Sequence, residues 1–268
     1  MKLLKVGLIA VAVTMLSSSC LAAEDGGAIM KKLSAAYLAL KSYDQKSSVT
    51  QVTNGPGVNR LQGCTADVRY QSPNKVYVGV SAPQTGTIAG SSDGRSQIIY
   101  RSASNAFTKY PAPANLREFM QRMAPFGVAA MLDPVYFLQG VRTDLLVSNL
   151  KLVGTETVNG AACYKVRGTM KAGLAPNGSS GTITFLVDKR QYLLRKTIMT
   201  ISRIPYAARV MKMQNGKRVP TTHRIYLNQT LTETIQEMRP NPALNDAAFA
   251  YKAPKGATEQ AAPTPAKR

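Results

Sequence analysis

This sequence of 268 residues has no tryptophan, one histidine and three cysteines. A single histidine, His223, cannot hold zinc without cysteine or carboxylate partners at suitable spacing, and neither a Cys-x-x-Cys nor a His-x-x-x-His motif occurs. Most aspartates lie beside glycine, proline or predicted turns, as turn and cap residues do. We therefore predict no catalytic residue, no metal and no cofactor. A hydrolase with carboxylates far apart in sequence is the minor alternative.

Acidic residues are scarce too, with 14 against 34 basic ones and a net charge of +20. No acid occurs between Asp188 and Glu233. Such a field attracts polyanions such as anionic lipid headgroups, but without a zinc-finger or basic-zipper pattern we expect no nucleic acid. A low carboxylate content equally suits an exported protein in acidic surroundings. The residues expected to form a basic face are Arg195, Arg203, Arg209, Lys212, Lys217, Arg218 and Arg224.

The one long hydrophobic run, Val6 to Leu16, follows Lys2 and Lys5 and precedes small residues. This layout predicts a secretory signal peptide at residues 1–23 and an exported protein. About 11 apolar residues are too few to cross a bilayer core of roughly 30 Å. The segment Ser17–Cys20 loosely resembles a lipoprotein box, so lipidation of Cys20 is an alternative to release without an anchor.

Two cysteines remain beyond the leader, Cys64 and Cys163. In an oxidising compartment they could form a disulfide. Their positions in the strand alternation favour opposite faces of a sheet, so the sequence leaves this pairing open.

Residues 24–256 are predicted to form a single β-rich domain that begins with a helix. Ile29, Leu33 and Tyr37 recur at helical spacing behind a cap at Asp25. Alternating runs separated by turn residues then predict a meander, in which Asn159-Gly160 is the strongest hairpin signal. Residues 206–221 are predicted to extend a long hairpin. The Ala-, Pro- and Lys-rich residues 257–268 are predicted to be disordered.

Between Leu116 and Leu138 the alternation stops and apolar residues fit helices instead. We predict one helix ended by Pro125, a second at residues 128–132 ended by Asp133-Pro134, and a turn after it. Ordinary core packing would explain this composition, but methionine-rich surfaces also suit ligands of variable shape. A helical cover over a curved sheet would create an apolar pocket. The expected lid residues are Phe119, Met120, Met123, Phe126, Met131, Phe137 and Leu138.

Several segments together resemble one family: residues 36–43, 92–100, 107–113, 154–166 and 241–257. They are similar to the periplasmic lipoprotein-carrier superfamily (LolA/LolB-like), and to its branch of uncharacterised predicted periplasmic proteins. The resemblance implies a curved, unclosed antiparallel half-barrel with helices on its concave side. It also implies acyl chains as ligands, because members act as lipoprotein chaperones, lipid carriers or envelope stress sensors.

The combined hypothesis is an exported α+β protein that holds acyl chains of a lipid or lipoprotein in a half-barrel, with a role in outer-membrane lipoprotein sorting. Its basic face would meet anionic headgroups or a membrane surface. The alternative from another class is an envelope stress sensor or protein-interaction module of the same fold. The sequence does not give the ligand or the oligomeric state.

Overall fold

A single sheet of twelve strands dominates the computed structural model, which describes residues 25–126, 133–175, 179–214 and 217–262. The strands are β1 (Ser42–Gly55), β2 (Val58–Gln71), β3 (Lys75–Ala82), β4 (Gly86–Asp93), β5 (Ser96–Arg101), β6 (Ala106–Pro111), β7 (Val147–Val158), β8 (Ala161–Met170), β9 (Ser180–Asp188), β10 (Leu194–Gln214), β11 (Lys217–Pro240) and β12 (Thr258–Gln260). The described helices are α1 (Gly26–Leu38), α2 (Leu116–Met123), α3 (Asp133–Leu138) and α4 (Thr143–Leu146), with single 3-10 turns at Ser102–Ser104, Ala124–Phe126 and Asp246–Ala248.

The strand order is β12-β6-β5-β4-β3-β2-β1-β11-β10-β9-β8-β7, so the first strand pairs with the last long strand at the centre. All pairs are antiparallel except β12 with β6. The chain crosses from one edge to the other once, through the segment that carries α2, α3 and α4. Strands β7 and β12 form the two edges, so the sheet is not closed. The predicted curved, unclosed half-barrel is confirmed.

Bulges bend the long central strands. The register shifts in β1 between Lys46 and Ser47, and in β10 between Ile201 and Ile204. At the second bulge Arg203 has a φ of 61° and its N–H donates to Asn228 Oδ1 at 3.2 Å. Because each bulge increases local twist and bends its strand, these irregularities help the sheet to curl around its helices.

Helix α1 begins where the sequence predicts. The Asp25 carboxylate accepts a hydrogen bond from the Ala28 N–H at 2.7 Å, which satisfies one of the free N–H groups of the first turn. Its buried face contains Ile29, Leu33 and Tyr37 at spacings of four residues. This face joins the main hydrophobic core on the concave side of the sheet.

The segment after β11 covers part of the convex side. The ring of Tyr251 lies 6.3 Å from that of Tyr77 and 6.1 Å from that of Tyr100. Phe249 is buried beside them, and its carbonyl accepts a hydrogen bond from Ser91 Oγ. The chain then adds β12 to the edge. The prediction of disorder from residue 257 is therefore wrong at Thr258–Gln260, since strand pairing with β6 outweighs the polar composition; residues 263–268 lie outside the described residues.

The predicted helical boundaries need one correction. Asp133-Pro134 was predicted to stop a helix, but it begins α3, which continues through residues 135–138. Proline fits the first helical turn because its missing N–H would have no partner there. The predicted helix at 128–132 lies outside the described residues.

Candidate functional site

Helix α2 lies on the concave face, where the sequence places a lid. Asn115 caps it by accepting a hydrogen bond from the Glu118 N–H at 3.0 Å. Phe119 and Met123 are both 0% exposed. They pack on Gly90 of β4 so closely that a Cβ added there would overlap Met123 Sδ and lie 3.1 Å from Phe119 Cζ. The roof of the hollow is thus in direct contact with its floor.

Helix α3 completes this roof. The Phe137 ring lies 5.7 Å from Tyr37 on α1 and 6.3 Å from Phe185 on β9, so three elements meet around it. Leu138 and Met120 are also buried. Phe126 is half-buried under the Arg101 guanidinium, and Met131 lies outside the described residues. The space around the Phe137 ring is therefore filled by side chains of α1, α3 and β9.

A hydrogen-bonded arginine fastens α2 to the sheet. The Arg122 guanidinium donates to Gln97 Oε1 at 3.0 Å and to the Pro111 carbonyl at 2.7 Å. Glu118, one turn earlier, forms an ion pair with the same guanidinium. Gln97 is fully buried, so this contact ties the lid helix to the interior of β5 as well as to the end of β6.

An open pocket of about 130 Å³ lies on the concave face beyond the helices. Its wall comes from the outer parts of β1, β2 and β11 and from the β3–β4 turn. The register shows that the wall residues of β1, β2 and β11 share the face on which Tyr43 and Val68 meet the core. The lining residues are Val49, Gln51, Gln62, Gly63, Cys64, Ala82, Gln84, Thr85 and Leu231.

Between the lid helices and this pocket, a polar network crosses the floor. Tyr43 O–H donates to Gln45 Oε1 at 2.7 Å, and Gln45 Nε2 donates to Glu233 Oε1 at 3.1 Å. Ser47 Oγ donates to the same Glu233 oxygen at 2.8 Å. Tyr37 hydrogen-bonds to Tyr43, and its oxygen accepts the Leu194 N–H at 3.3 Å. A hydrogen-bonded chain thus runs from the backbone of β10 to a carboxylate that is 3% exposed.

Burial raises the pKa of Tyr37 and of Tyr43 well above the ordinary tyrosine value, so both hydroxyls stay protonated and can donate. Sequence reasoning missed this network. A signal was present, because Glu233 falls on the same alternation phase as Leu231 and Ile235, where an acid is unexpected.

The long β10–β11 hairpin carries the exposed basic residues Arg209, Lys212 and Arg224. Met211 and Met213 on the same hairpin are 62% and 67% exposed. The side chains of Lys217 and Arg218 lie outside the described residues.

Two of the predicted basic residues have partners within the protein. Arg195 binds Asp188 Oδ2 at 2.8 and 2.9 Å, and Asp188 also accepts the Arg190 N–H. Arg195 thus braces the β9–β10 turn. The Arg203 guanidinium lies 5.4 Å over the Tyr226 ring. Arg203 nevertheless remains exposed.

Cys64 and Cys163 do not form a disulfide. Four strands separate β2 from β8, so at about 4.8 Å per strand the two residues are far beyond the 7 Å that a disulfide can span. Burial raises the pKa of both thiols, that of Cys163 to about 11. Cys163 is fully buried, whereas Cys64 lines the pocket.

One further sequence pattern has no catalytic geometry. Residues 90–94 have the spacing Gly-x-Ser-x-Gly, but the central Ser92 is fully buried in β4 and precedes a hairpin instead of a helix. Among the described residues, no three His, Cys, Asp or Glu side chains are placed to hold a metal. Nor does any described helix combine the length and apolar character needed to cross a bilayer.

Comparison with known proteins adds a family and a set of folds. The family model of predicted periplasmic proteins (DUF2092) matches residues 26–211. The search of curated proteins found no match.

Among solved structures, lipoprotein LppX of Mycobacterium tuberculosis is 14% identical, with 82% of this chain and 97% of that chain covered and a TM-score of 0.43. LprF of Mycobacterium bovis is 15% identical, with 87% and 97% covered and a TM-score of 0.43. A LolA superfamily protein of Nitrosomonas europaea is 13% identical, with 85% and 99% covered and a TM-score of 0.29. These similarities concern the fold alone.

Proposed function

This chain belongs to the DUF2092 family of predicted periplasmic proteins, and from that premise we propose that it binds acyl chains of a lipid or lipoprotein on the concave face of its sheet. Each methylene moved from water into an apolar site gains about 0.8 kcal/mol. A periplasmic protein with an apolar hollow can therefore keep such chains out of water during envelope lipoprotein trafficking.

The observation that supports this proposal is the open pocket on the concave face, formed by β1, β2, β11 and the β3–β4 turn. Ligand pockets for whole drug-sized molecules have volumes of about 300–1,000 Å³. A pocket of about 130 Å³ holds only a short part of an acyl chain. An acyl chain that extended under the lid would displace side chains such as Phe119 and Met123. Exposing one such side chain costs about 1.5–3 kcal/mol, which two to four buried methylenes offset.

The exposed part of the β10–β11 hairpin would meet an anionic membrane surface. It combines basic side chains with Met211 and Met213, and each basic residue near such a surface contributes about 1 kcal/mol. We expect vesicles containing anionic lipid to bind the protein and uncharged vesicles to bind it far less. Reversing the charge of Arg209 and Lys212 to Glu should weaken this binding, whereas the same change at Arg142, on another surface, should not. Equal binding of all three proteins would contradict this role.

Cys64 provides a direct test of ligand binding, because it lines the pocket while Cys163 is fully buried. N-ethylmaleimide should modify Cys64 slowly in the native exported protein, and Cys163 only after denaturation. A bound acyl chain should protect Cys64, which mass spectrometry of the adducts measures. Native mass spectrometry of protein from its own periplasm should also show retained lipid. The proposal fails if no lipid co-purifies and no added lipid protects Cys64.

One observation favours the second candidate, an envelope sensor or protein-interaction module. The inner side of the lid packs directly on the sheet and on α1, since Phe119, Met123 and Phe137 are fully buried. A module of this kind needs no cargo space. Cross-linking in the periplasm distinguishes the two, because a protein partner captured independently of lipid content supports the module.

A further inference from the structure

The β10–β11 hairpin extends far beyond the rest of the sheet. Strand β9 pairs with β10 as far as Ser202, and β1 pairs with β11 as far as Asn228. From there to the pair of Gln214 and Lys217, the described strands of the hairpin pair only with each other. A two-stranded ribbon is marginally stable in water unless an apolar face of it is covered. The chemistry of the two faces therefore indicates what this ribbon contacts.

One face of the ribbon is apolar near its base. The register pairs Ile204 with Leu227. One step farther out on the same face, it pairs Tyr206 with Ile225. Leu227 is buried, whereas Ile204 and Ile225 are half-buried. Side chains alternate along a strand, so Leu227 and Ile225 lie on the same face of β11 as Leu231. The apolar face of the ribbon therefore continues the concave face of the sheet.

The opposite face of the ribbon is mainly polar and basic. Arg209 and Arg224 are exposed on it, and Tyr226 lies under the Arg203 guanidinium. The two exposed methionines of the hairpin are on this face too, toward the tip. Hydrophobic free energy is roughly proportional to the apolar area removed from water. Near the base of the ribbon, the concave side is therefore the better side for a hydrocarbon chain.

The apolar face leads directly to the pocket. Leu231 lines the pocket and is opposite Met199 of β10. The next residue of β10 on this face is Ile201, which is opposite Gln229. The Gln229 side-chain amide donates to Thr53 Oγ1 at 3.5 Å, which turns it toward β1 and away from β10. Apolar side chains thus continue along β10 from the pocket to the ribbon.

We propose that the part of an acyl chain that does not fit into the pocket lies along this apolar strip, outside the lid, and not under α2. The strip consists of Met199, Ile201, Ile204, Tyr206, Ile225 and Leu227. This inference rests on the proposed acyl-binding function and adds the path of the chain. At about 3.3 Å per residue, β11 covers about 20 Å between Leu231 and Ile225. A palmitoyl chain has a similar extended length. On the strip it would leave Phe119 and Met123 buried under the lid.

A single introduced tryptophan tests this path, because the sequence has no tryptophan of its own. Tyr206 and Tyr226 are 46% and 45% exposed and lie on opposite faces of the ribbon, so Tyr206→Trp and Tyr226→Trp are matched variants. The probe is dibromostearic acid with both bromines at mid-chain, because bromine quenches tryptophan fluorescence at short range. We expect it to quench the Tyr206→Trp variant severalfold more strongly than the Tyr226→Trp variant.

Protection of Cys64 from N-ethylmaleimide by the same probe shows whether the pocket is occupied. Protection together with equal quenching, or no quenching, in the two variants would overturn the inference but leave acyl binding intact. Neither protection nor quenching would instead overturn the proposed function. Cys163 should stay unmodified in both variants, which confirms that they are folded.

The dependence on chain length gives a second test. The readout is the concentration of octanol, dodecanol or hexadecanol that protects half of Cys64. A methylene on an open strip is covered on one side only, so each added methylene should lower this concentration about twofold. Tyr206→Ser should weaken hexadecanol severalfold and octanol far less, whereas Tyr226→Ser should change neither. Hexadecanol protecting equally well in both serine variants would refute the inference.

Discussion

Gly90 provides the most direct test of how the lid is seated. It is on β4, under α2, where a Cβ would overlap Met123 Sδ and come within 2.9 Å of Met123 Cε and 3.1 Å of Phe119 Cζ. Replacing glycine with alanine at an unstrained position stabilises a protein by about 0.4–1 kcal/mol, because the unfolded chain then has less conformational entropy to lose. Overpacking a core costs about 1–3 kcal/mol. Because Sδ and Cε are the flexible end of the Met123 side chain and can shift, the cost should lie at the low end of this range. We therefore expect Gly90→Ala to lower the free energy of unfolding by about 1 kcal/mol or less.

Gly63 is the matched control, because a Cβ added there would lie 3.6 Å from the Val49 carbonyl oxygen, an ordinary contact. Gly63→Ala should leave stability unchanged or raise it slightly. Urea unfolding of both variants, followed by circular dichroism, measures the difference. If Gly90→Ala is as stable as Gly63→Ala, then α2 does not pack on β4 as described.

A double-mutant cycle makes the test specific for Met123. Met123→Ala alone should cost about 2–5 kcal/mol through the cavity it leaves. In the Gly90→Ala background the same change also removes the overlap, so the combined loss should be smaller than the sum by about 1 kcal/mol or more. Strict additivity would show that the two residues do not touch, and would refute this account of the lid.

Three further predictions follow from individual contacts. Arg122→Met should detach α2 from Gln97 and Pro111, which limited proteolysis should detect as faster cleavage near the lid at unchanged sheet content. Burial acts to raise the pKa of Asp188, but hydrogen bonds from backbone N–H groups and from Arg195 lower this pKa overall. The ionised carboxylate therefore stabilises the fold above about pH 4. This stabilisation is lost as the pH falls through the lowered pKa of the folded state. Urea titrations should show Asp188→Asn costing about 1–3 kcal/mol at pH 7 and progressively less below pH 4. Asn159→Ala should lower the free energy of unfolding by about 1 kcal/mol, because Asn159 adopts a φ of 47° in the hairpin turn and donates to the Ile235 carbonyl.

The sequence predicted those elements whose signals are local. Asn159-Gly160 adopts the positive φ angles, 47° and 79°, that a tight hairpin needs, and the helical spacing of α1 matched its buried face. Strand β4 was not predicted. Its residues, Gly86–Asp93, are mostly small and have little strand propensity. In the structure, the absence of a side chain at Gly90 lets Met123 and Phe119 of the lid helix pack against the backbone of β4.

The lid was predictable in part. Methionine and phenylalanine at helical spacing indicated an apolar helix face, and α2 presents that face to the sheet. Whether the space under it is empty depends on how residues from α1, α3 and β9 meet there, and no local pattern contains that information. Tyr37, Phe137 and Phe185 belong to three elements that are far apart in the sequence, yet their rings fill one site.

The polar floor shows the same limit most clearly. An acid at position 233 on the apolar phase of β11 could indicate either a misassigned strand or a buried carboxylate, and the sequence cannot decide between them. What decides is the pairing of β1 with β11, which brings Ser47 and Gln45 to Glu233 across more than 180 positions of chain. Without those donors a buried carboxylate would cost several kcal/mol. With them, the buried carboxylate is compatible with a stable floor. The long-range pairing of β1 with β11, which the sequence does not reveal, therefore decides whether a carboxylate can be buried at the centre of the hollow.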